Sequence, residues 1–550
     1  MKDRTAGDVV AEWMVDSGIR RFFHVPGETF IPILNGLGDR PEVQIVTMRH
    51  ESSASFAAEA VGKLRGRAAV CMATRGPGSS NLALGLQTAY YDATPVIALT
   101  TTVPRPEQDS GSFQAYEPRS MFGGTTKAVL TVTNTSALSA TLDQASAIAH
   151  SGRPGPVVVA LPTDLLREEI PEPASFTQHS VTFPGSSAPQ SLIDSLATAQ
   201  RPIIIVATRC IPQAAVDQFA RMCEASGLPV ATAWRRFSAY PNDSPSYVGG
   251  IGVGGPPATI RALKEADLVV VLGFGVESLT TNGPGKLSSG TRLVQITEAV
   301  DERALRLAGD SARVESLVAP PEQIMAKLAE WAAQNPEWSA GVAEKNAQST
   351  RRLRDEYRAS LQSASGSVSV GVPQGEIFKA LERAIPDNAI ITSDAGNFAR
   401  WMQRHMTFGG GRTFLAPVNG AMGYGLPSAI AANLEEPGRP VWCIAGDGGY
   451  LMTGGEMETA TRLGLNVVSV VINNNSYGSI RRDQELKYPG EEPVGTLLGH
   501  VDFTAVAAGH GWSGIQVTEP AELPDALVQF GSMSGNRILE ISADPYELSV

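Results

Sequence analysis

Apolar positions along this chain follow two alternating rhythms. Short runs such as VQIVTM (43–48), RAAVCMAT (67–74) and PVIALT (95–100) are apolar almost throughout, the mark of strands buried on both faces. Between them apolar residues fall at helical spacing. Val9, Val10, Trp13 and Met14 follow Thr5, a capping residue, and precede Gly18, a stop signal. RRFFHV (20–25) runs into a VPGE turn ending at Glu28, and another helix is predicted to start near Glu51. The block closes on RPGPVVVALPTDLL, near Leu166. Residues 167–190, rich in Pro, Ser, Thr and Glu, read as a linker. A second alternating block carries PIIIVA, LPVATA, LVVVLGFG and RLVQIT. The polar stretch 341–372, with RRLRDEYR, reads as a connecting helix and loop with a solvated face. A third block carries AIITSD, PVWCIAGD and NVVSVVIN. The pattern predicts an α/β protein of three doubly wound parallel-sheet domains, at 1–170, 188–340 and 370–550.

Composition narrows the function classes. The 550 residues hold 56 acidic and 44 basic side chains, a net charge of −12, which argues against nucleic acid or an anionic membrane as partner. The N-terminal stretch has no apolar signal core and no apolar run reaches 18 residues, so the cytoplasm is the expected compartment. Cys71, Cys210, Cys223 and Cys443 show no CxxC spacing; free thiols are expected rather than disulfides or zinc.

The chemistry concentrates in GDGGYLMTGGEMETATRLGLNVVSVVINNNSYG, residues 446–478. A strand runs into Gly446-Asp447-Gly448, a helix begins near Gly455, and a second strand ends at Asn473-Asn474. In a parallel sheet both strand ends emerge on one edge, where open α/β sheets bind ligands. Asp447 offers a carboxylate and Asn474 an amide oxygen, with a backbone carbonyl a residue or two on. These are hard donors of the kind magnesium accepts. Gly446, Gly448, Gly449 and, beyond Tyr477, Gly478 let backbone N–H groups approach an anion. The physical reading is a metal-bridged diphosphate site.

The GDG…NN arrangement resembles the cofactor motif of thiamine-diphosphate enzymes, and the rest of the chain resembles the large subunit of acetolactate synthase. The supporting segments are VPG at 25–27, GPGSSN at 76–81, Phe113-Gln114, Lys127 and RPGPVVVALPTD. The resemblance implies thiamine diphosphate and Mg2+ as cofactors, with Asp447, Asn474 and the Ser476 carbonyl as metal ligands. It implies that Glu51 hydrogen-bonds N1′ of the aminopyrimidine and favours its imino tautomer. The Gly420 carbonyl would accept from the 4′-amino group, and Met422, if not merely a core residue, would wedge under the cofactor. Asn397 would contact the diphosphate, although Phe398 stands where the family has His. It further implies a pyruvate-like 2-oxo acid substrate and a homodimer or homotetramer with sites at the subunit interface. The reaction would be decarboxylation with carboligation to a second carbonyl; the alternative is simple decarboxylation releasing an aldehyde.

Some positions depart from the family. GFGVESLTT (273–281) lacks the arginines of flavin-binding relatives, so FAD is not expected. VGGIGVGG (248–255) reads as a plain loop, not lying between a clear strand and helix. Glu28 stands where relatives carry Gly, and is either a proton donor or a turn acid. Arg75 replaces a usual Ser or Thr, and either binds a substrate carboxylate or phosphate or forms a structural ion pair. Gln114 is counted with the catalytic candidates, Phe113 and Lys127 with the substrate ones. His24 reads as packed, and Arg481 and Arg482 as an entrance attractive to anions.

Overall fold

A computed structural model of the chain describes residues 4–108, 111–170, 176, 189–207, 212–274, 287, 288, 290–300, 313–363 and 366–548. Cys210, most of the 167–190 stretch and all but Gly273 and Phe274 of GFGVESLTT lie outside them. The first helix, Ala6–Asp16, begins on a reciprocal cap. Thr5 Oγ1 accepts from the Asp8 amide and the Asp8 carboxylate accepts from the Thr5 amide. Gly18, at φ +70°, ends the turn that follows.

Eighteen strands form three six-stranded sheets among the described residues, every pairing parallel. The first holds β1 (Arg21–His24), β2 (Gln44–Thr47), β3 (Ala69–Ala73), β4 (Val96–Thr102), β5 (Ala128–Thr131) and β6 (Pro156–Pro162), in the order β2-β1-β3-β4-β6-β5. The second holds β7 (Pro202–Val206), β8 (Val230–Thr232), β9 (Tyr247–Gly250), β10 (Leu268–Leu272), β11 (Arg292–Thr297) and β12 (Arg313–Val318), ordered β12-β11-β10-β7-β8-β9. The third holds β13 (Ile390–Ser393), β14 (Thr413–Leu415), β15 (Val441–Gly446), β16 (Val467–Asn473), β17 (Ser513–Val517) and β18 (Arg537–Ser542), ordered β14-β13-β15-β16-β18-β17. The first and third sheets therefore share one topology. The second has the order of a doubly wound nucleotide fold. VGGIGVGG is not the plain loop its composition indicates: it opens on β9 and leads to the helix Pro257–Glu265. Because β9 is an edge strand, the run is remote from the point where such sheets bind dinucleotides.

Strand alternation builds the cores. In the second sheet Ile204, Val206, Val270 and Leu272 face one cluster, while Ile203, Ile205, Val269 and Val271 face the other. The chain divides into two units. One comprises Met1–Thr182, Pro417–Glu436 and Thr453–Leu465; the other comprises Phe183–Ala416, Pro437–Met452 and Asn466–Val550. In the first unit the helix Gly425–Glu435 packs on the helix Glu51–Arg65. A buried ionic group sits among these helices. Lys63 Nζ lies 2.9 Å from both Glu59 Oε1 and Asp92 Oδ2, and Tyr424 donates to Glu59 Oε2 at 2.7 Å. Charges so buried hold only when paired, so this group fixes the mutual position of the pieces. Among the described residues no helix is long and apolar enough to cross a membrane.

His24 ends β1, buried against Phe22 and Phe30, with Nε2 3.1 Å from Thr47 Oγ1. Loss of water, with Arg462 nearby, lowers its pKa from 6.5 to about 4. The folded state thus resists protonation, so the stability His24 contributes is present above pH 6.5 and is lost as pH falls toward 4. His24→Gln is expected to flatten that slope. Urea unfolding at about pH 7 and about pH 4.5 should show a smaller acid loss for the variant than for the wild type.

Candidate active site

The second unit holds the GDG…NN residues. β15 and β16 are neighbours in register, Gly446 opposite Ile472, so Asp447 and Asn474 leave the sheet on the same edge. Asp447 is buried; loss of water pushes its carboxyl up to about 6, against the opposing pull of the Gly448, Asn474 and Ser476 amides. Asn474 Oδ1 accepts from the Ser476 amide at 3.2 Å. The turn is pinned from outside: Tyr477 N donates to the Thr496 carbonyl (2.8 Å) and Ser476 Oγ to the same oxygen (3.2 Å). Asn475 takes φ +50° to make it. A Cβ on Gly448 would stand 2.6 Å from Tyr477 Cε1, and one on Gly449 2.6 Å from Asp394 Oδ2. On Gly478 it would stand 3.3 Å from Asn474 Nδ2, and on Gly446 3.3 Å from Phe398. A side chain would clash at 448 and 449 and crowd its neighbours at 446 and 478. Asn397 donates Nδ2 to the Leu548 carbonyl (3.2 Å), and its buried Oδ1 has no partner among the described residues. That acceptor suits a water better than a phosphate oxygen. One buried carboxylate, one amide oxygen and a carbonyl on a pinned turn fit a hard cation such as magnesium.

The first unit holds the other candidates. Glu51 is the first residue of its helix, after His50, whose Nδ1 accepts from the Ser52 amide. Its Oε2 accepts from Asn81 Nδ2 at 2.9 Å, and its Oε1 lies 3.2 Å from where a Gly78 Cβ would be. Gly76 (φ +61°) and Gln114 (φ +61°) meet closely, a Gly76 Cβ falling 2.9 Å from the Gln114 carbonyl. A non-glycine residue held at that φ marks a strained loop of the kind found at functional sites. Phe113 beside it is 77% exposed. Arg75 lies 3.9 Å from Glu28, with the Glu28 side chain 69% exposed. Both follow the carboxyl ends of strands, β3 and β1. Lys127 instead precedes β5, on the opposite edge, and donates to the carbonyls of Ile148 and Ser151; the structure does not bring it to the others. Gly420 takes φ +79° in the segment 417–424, and Met422 is only half-buried.

Two residues that the sequence reading left unassigned belong beside Glu51. Asn81 holds its carboxylate directly. Glu456, fully buried, accepts at Oε1 from the amides of Arg49 (3.0 Å) and His50 (3.2 Å), the residues leading into Glu51. Its Oε2 accepts from Thr459 Oγ1 at 2.7 Å. An acid opening the helix after GDG is the one sequence signal it carries. Glu456→Ala would take the acceptor from the Arg49 and His50 amides. Hydrogen exchange across 49–53 is expected to quicken about tenfold or more, with that of the helix Gly425–Glu435 unchanged.

Comparison with known proteins gives the class. Three families match along the chain: Thiamine pyrophosphate enzyme, N-terminal TPP binding domain, at residues 4–121; its central domain, at 190–315; and its C-terminal TPP binding domain, at 394–541. The chain belongs to the thiamine pyrophosphate (thiamine diphosphate) enzymes and is a thiamine-diphosphate-dependent enzyme. Among its relatives is the acetolactate synthase large subunit of Parasynechococcus marenigrum, 30% identical over 91% of this chain and 81% of that protein. The acetolactate synthase isozyme 2 large subunit of Escherichia coli is 29% identical over 98% and 96% of the two chains. The catabolic acetolactate synthase of Raoultella terrigena is 28% identical over 98% and 94%.

Proposed function

We propose that the enzyme catalyses the Mg2+- and thiamine-diphosphate-dependent decarboxylation of a pyruvate-like 2-oxo acid and joins the remaining acyl unit to an acceptor carbonyl. The observation that carries this reading is the placement of Asp447 and Asn474 on one edge of adjacent parallel strands. The similarity to acetolactate synthases along the whole chain supports the carboligation. In balance, a 2-oxo acid, an acceptor carbonyl and a proton give CO2 and a 2-hydroxy ketone. When bound, thiamine diphosphate supplies the nucleophilic carbon and stores the electron pair released with CO2.

The chain's own residues bind and orient. Asp447, Asn474 and the Ser476 carbonyl hold the metal, and the glycines at 446, 448, 449 and 478 admit the diphosphate against backbone amides. Tyr477 buttresses that cradle. Glu51, held by Asn81, takes the aminopyrimidine N1′ hydrogen bond; the Gly420 carbonyl takes the 4′-amino group, and Met422 supports the ring. Gln114 and Phe113 line the substrate side. Arg75 either receives a substrate carboxylate or phosphate or, as its distance from Glu28 favours, forms a structural ion pair with it. The second reading, release of an aldehyde after protonation, has Glu28 as its proton donor, placed past the carboxyl end of β1. We further propose a homodimer or a dimer of dimers, with Glu51 of one chain serving the metal half-site of another, working in the cytoplasm without FAD. Incubation with Mg2+, thiamine diphosphate and a panel of 2-oxo acids tests the reading. CO2 release with a 2-hydroxy ketone product supports carboligation; CO2 with free aldehyde supports the alternative; no CO2 from any acid refutes both.

A further inference from the structure

A basic cluster lies one helical turn outward from the metal half-site. The helices Phe398–His405 and Gly478–Lys487 start side by side: a Cβ on Gly478 would stand 3.4 Å from Asn397 Cβ. Arg400 is three residues beyond Asn397 and Arg482 four beyond Gly478, about 5–6 Å along each axis. Of the two arginines singled out in the sequence, Arg481 is committed elsewhere. It pairs with Glu485 at 3.1 Å and covers the Tyr546 ring at 4.1 Å. Among the described residues Arg482 pairs only with Asp483, at 3.7 Å, and its Nε is buried without a partner. Asp483 is already bonded to Lys487 at 2.9 Å.

Arg400 faces a single carboxylate, that of Asp483, while Arg404, one turn along on the same face, has no ion pair among the described residues, where its Nε is also buried and unpartnered. Burial depresses both guanidiniums, and Arg482 depresses Arg400 further. Arg400, Arg482 and Lys487 thus surround one acid in a protein whose net charge is −12. Gly254, at φ +84°, packs its backbone on Arg400, a Cβ there falling 3.1 Å from Arg400 Cα. One carboxylate does not balance three cations, and a bound oxyanion would satisfy the half-buried guanidiniums in the fork geometry arginine presents.

We propose that Arg400 and Arg482 form a binding site for an anionic group, a phosphate monoester or a carboxylate, at the end of a substrate remote from its reacting carbonyl. This names the substrate class within the function proposed above and rests on that reading for the carbonyl chemistry. Its test needs no turnover, so the two fail separately: the 2-oxo acid panel judges the reaction, a titration judges the site. Protein loaded with Mg2+ and thiamine diphosphate, its diphosphate half-site filled, is titrated calorimetrically with glycerol 3-phosphate and, separately, with succinate. The wild type is expected to bind one of them roughly tenfold or more tightly than the double variant Arg400→Gln, Arg482→Gln. The tighter probe tells phosphate ester from carboxylate. Absence of saturable binding to either probe, or equal affinity in the double variant, overturns the proposal. Should that variant not fold, salt decides: wild-type affinity falling with ionic strength supports the site, and a flat response overturns it.

Discussion

Asp447→Ala is expected to lose Mg2+-dependent affinity for thiamine diphosphate by about 100-fold or more. Changes in groups that merely orient metal ligands cost about 10–100-fold, and removal of a ligand costs more. The carboxyl is buried and held by loss of water at about 6, so it is an expensive group to keep without a cation to offset it. Its removal also takes an acceptor from the Gly448 and Asn474 amides. Asp447→Asn retains an oxygen for those amides while removing the charge, and separates metal loss from collapse of the turn. Both variants should bind weakly in a fluorescence titration of the cofactor at fixed Mg2+. Undiminished affinity in either would remove Asp447 from the metal site.

Glu51→Gln should act on rate, not on binding. A group that moves or holds a proton at the reacting cofactor contributes about 10²–10⁴-fold, and kcat is expected to fall within that range. Cofactor affinity should change by no more than about tenfold, the worth of one hydrogen bond. Gln is nearly isosteric and can still meet Asn81, so the helix it opens should remain in place. Unaltered kcat would mean that the carboxyl faces no proton in the reaction. A kcat measured at saturating cofactor, beside the dissociation constant, distinguishes the two outcomes.

Much of this was legible in the sequence because buried parallel strands are written as uninterrupted apolar runs. RLVQIT coincides with β11, and PVWCIAGD contains β15 with its glycine end. β5, β9, β12, β14, β17 and β18 escaped notice: all but β18 are sheet edges, and polar residues or glycines break their apolar runs. The GDG…NN edge was readable since Asp447 and Asn474 lie within 30 residues of each other, just past the ends of two adjacent strands. Glu456 was not, because its partners Arg49 and His50 are more than 400 residues away and it binds their amides, which no side-chain pattern reports. Arg481 and Arg482 looked equivalent as neighbours; only the fold shows one turned onto Tyr546 and the other left beside Arg400. Lys127 stood with the substrate candidates through the family resemblance, yet strand direction puts it at the amino edge.

Crystals grown with thiamine diphosphate and Mn2+ in place of Mg2+ test the central claim most directly, through the metal's anomalous signal. The account predicts one peak about 2.0–2.2 Å from a carboxylate oxygen of Asp447 and from Asn474 Oδ1. A cofactor bound with no peak there, or a peak ligated by other residues, would contradict it.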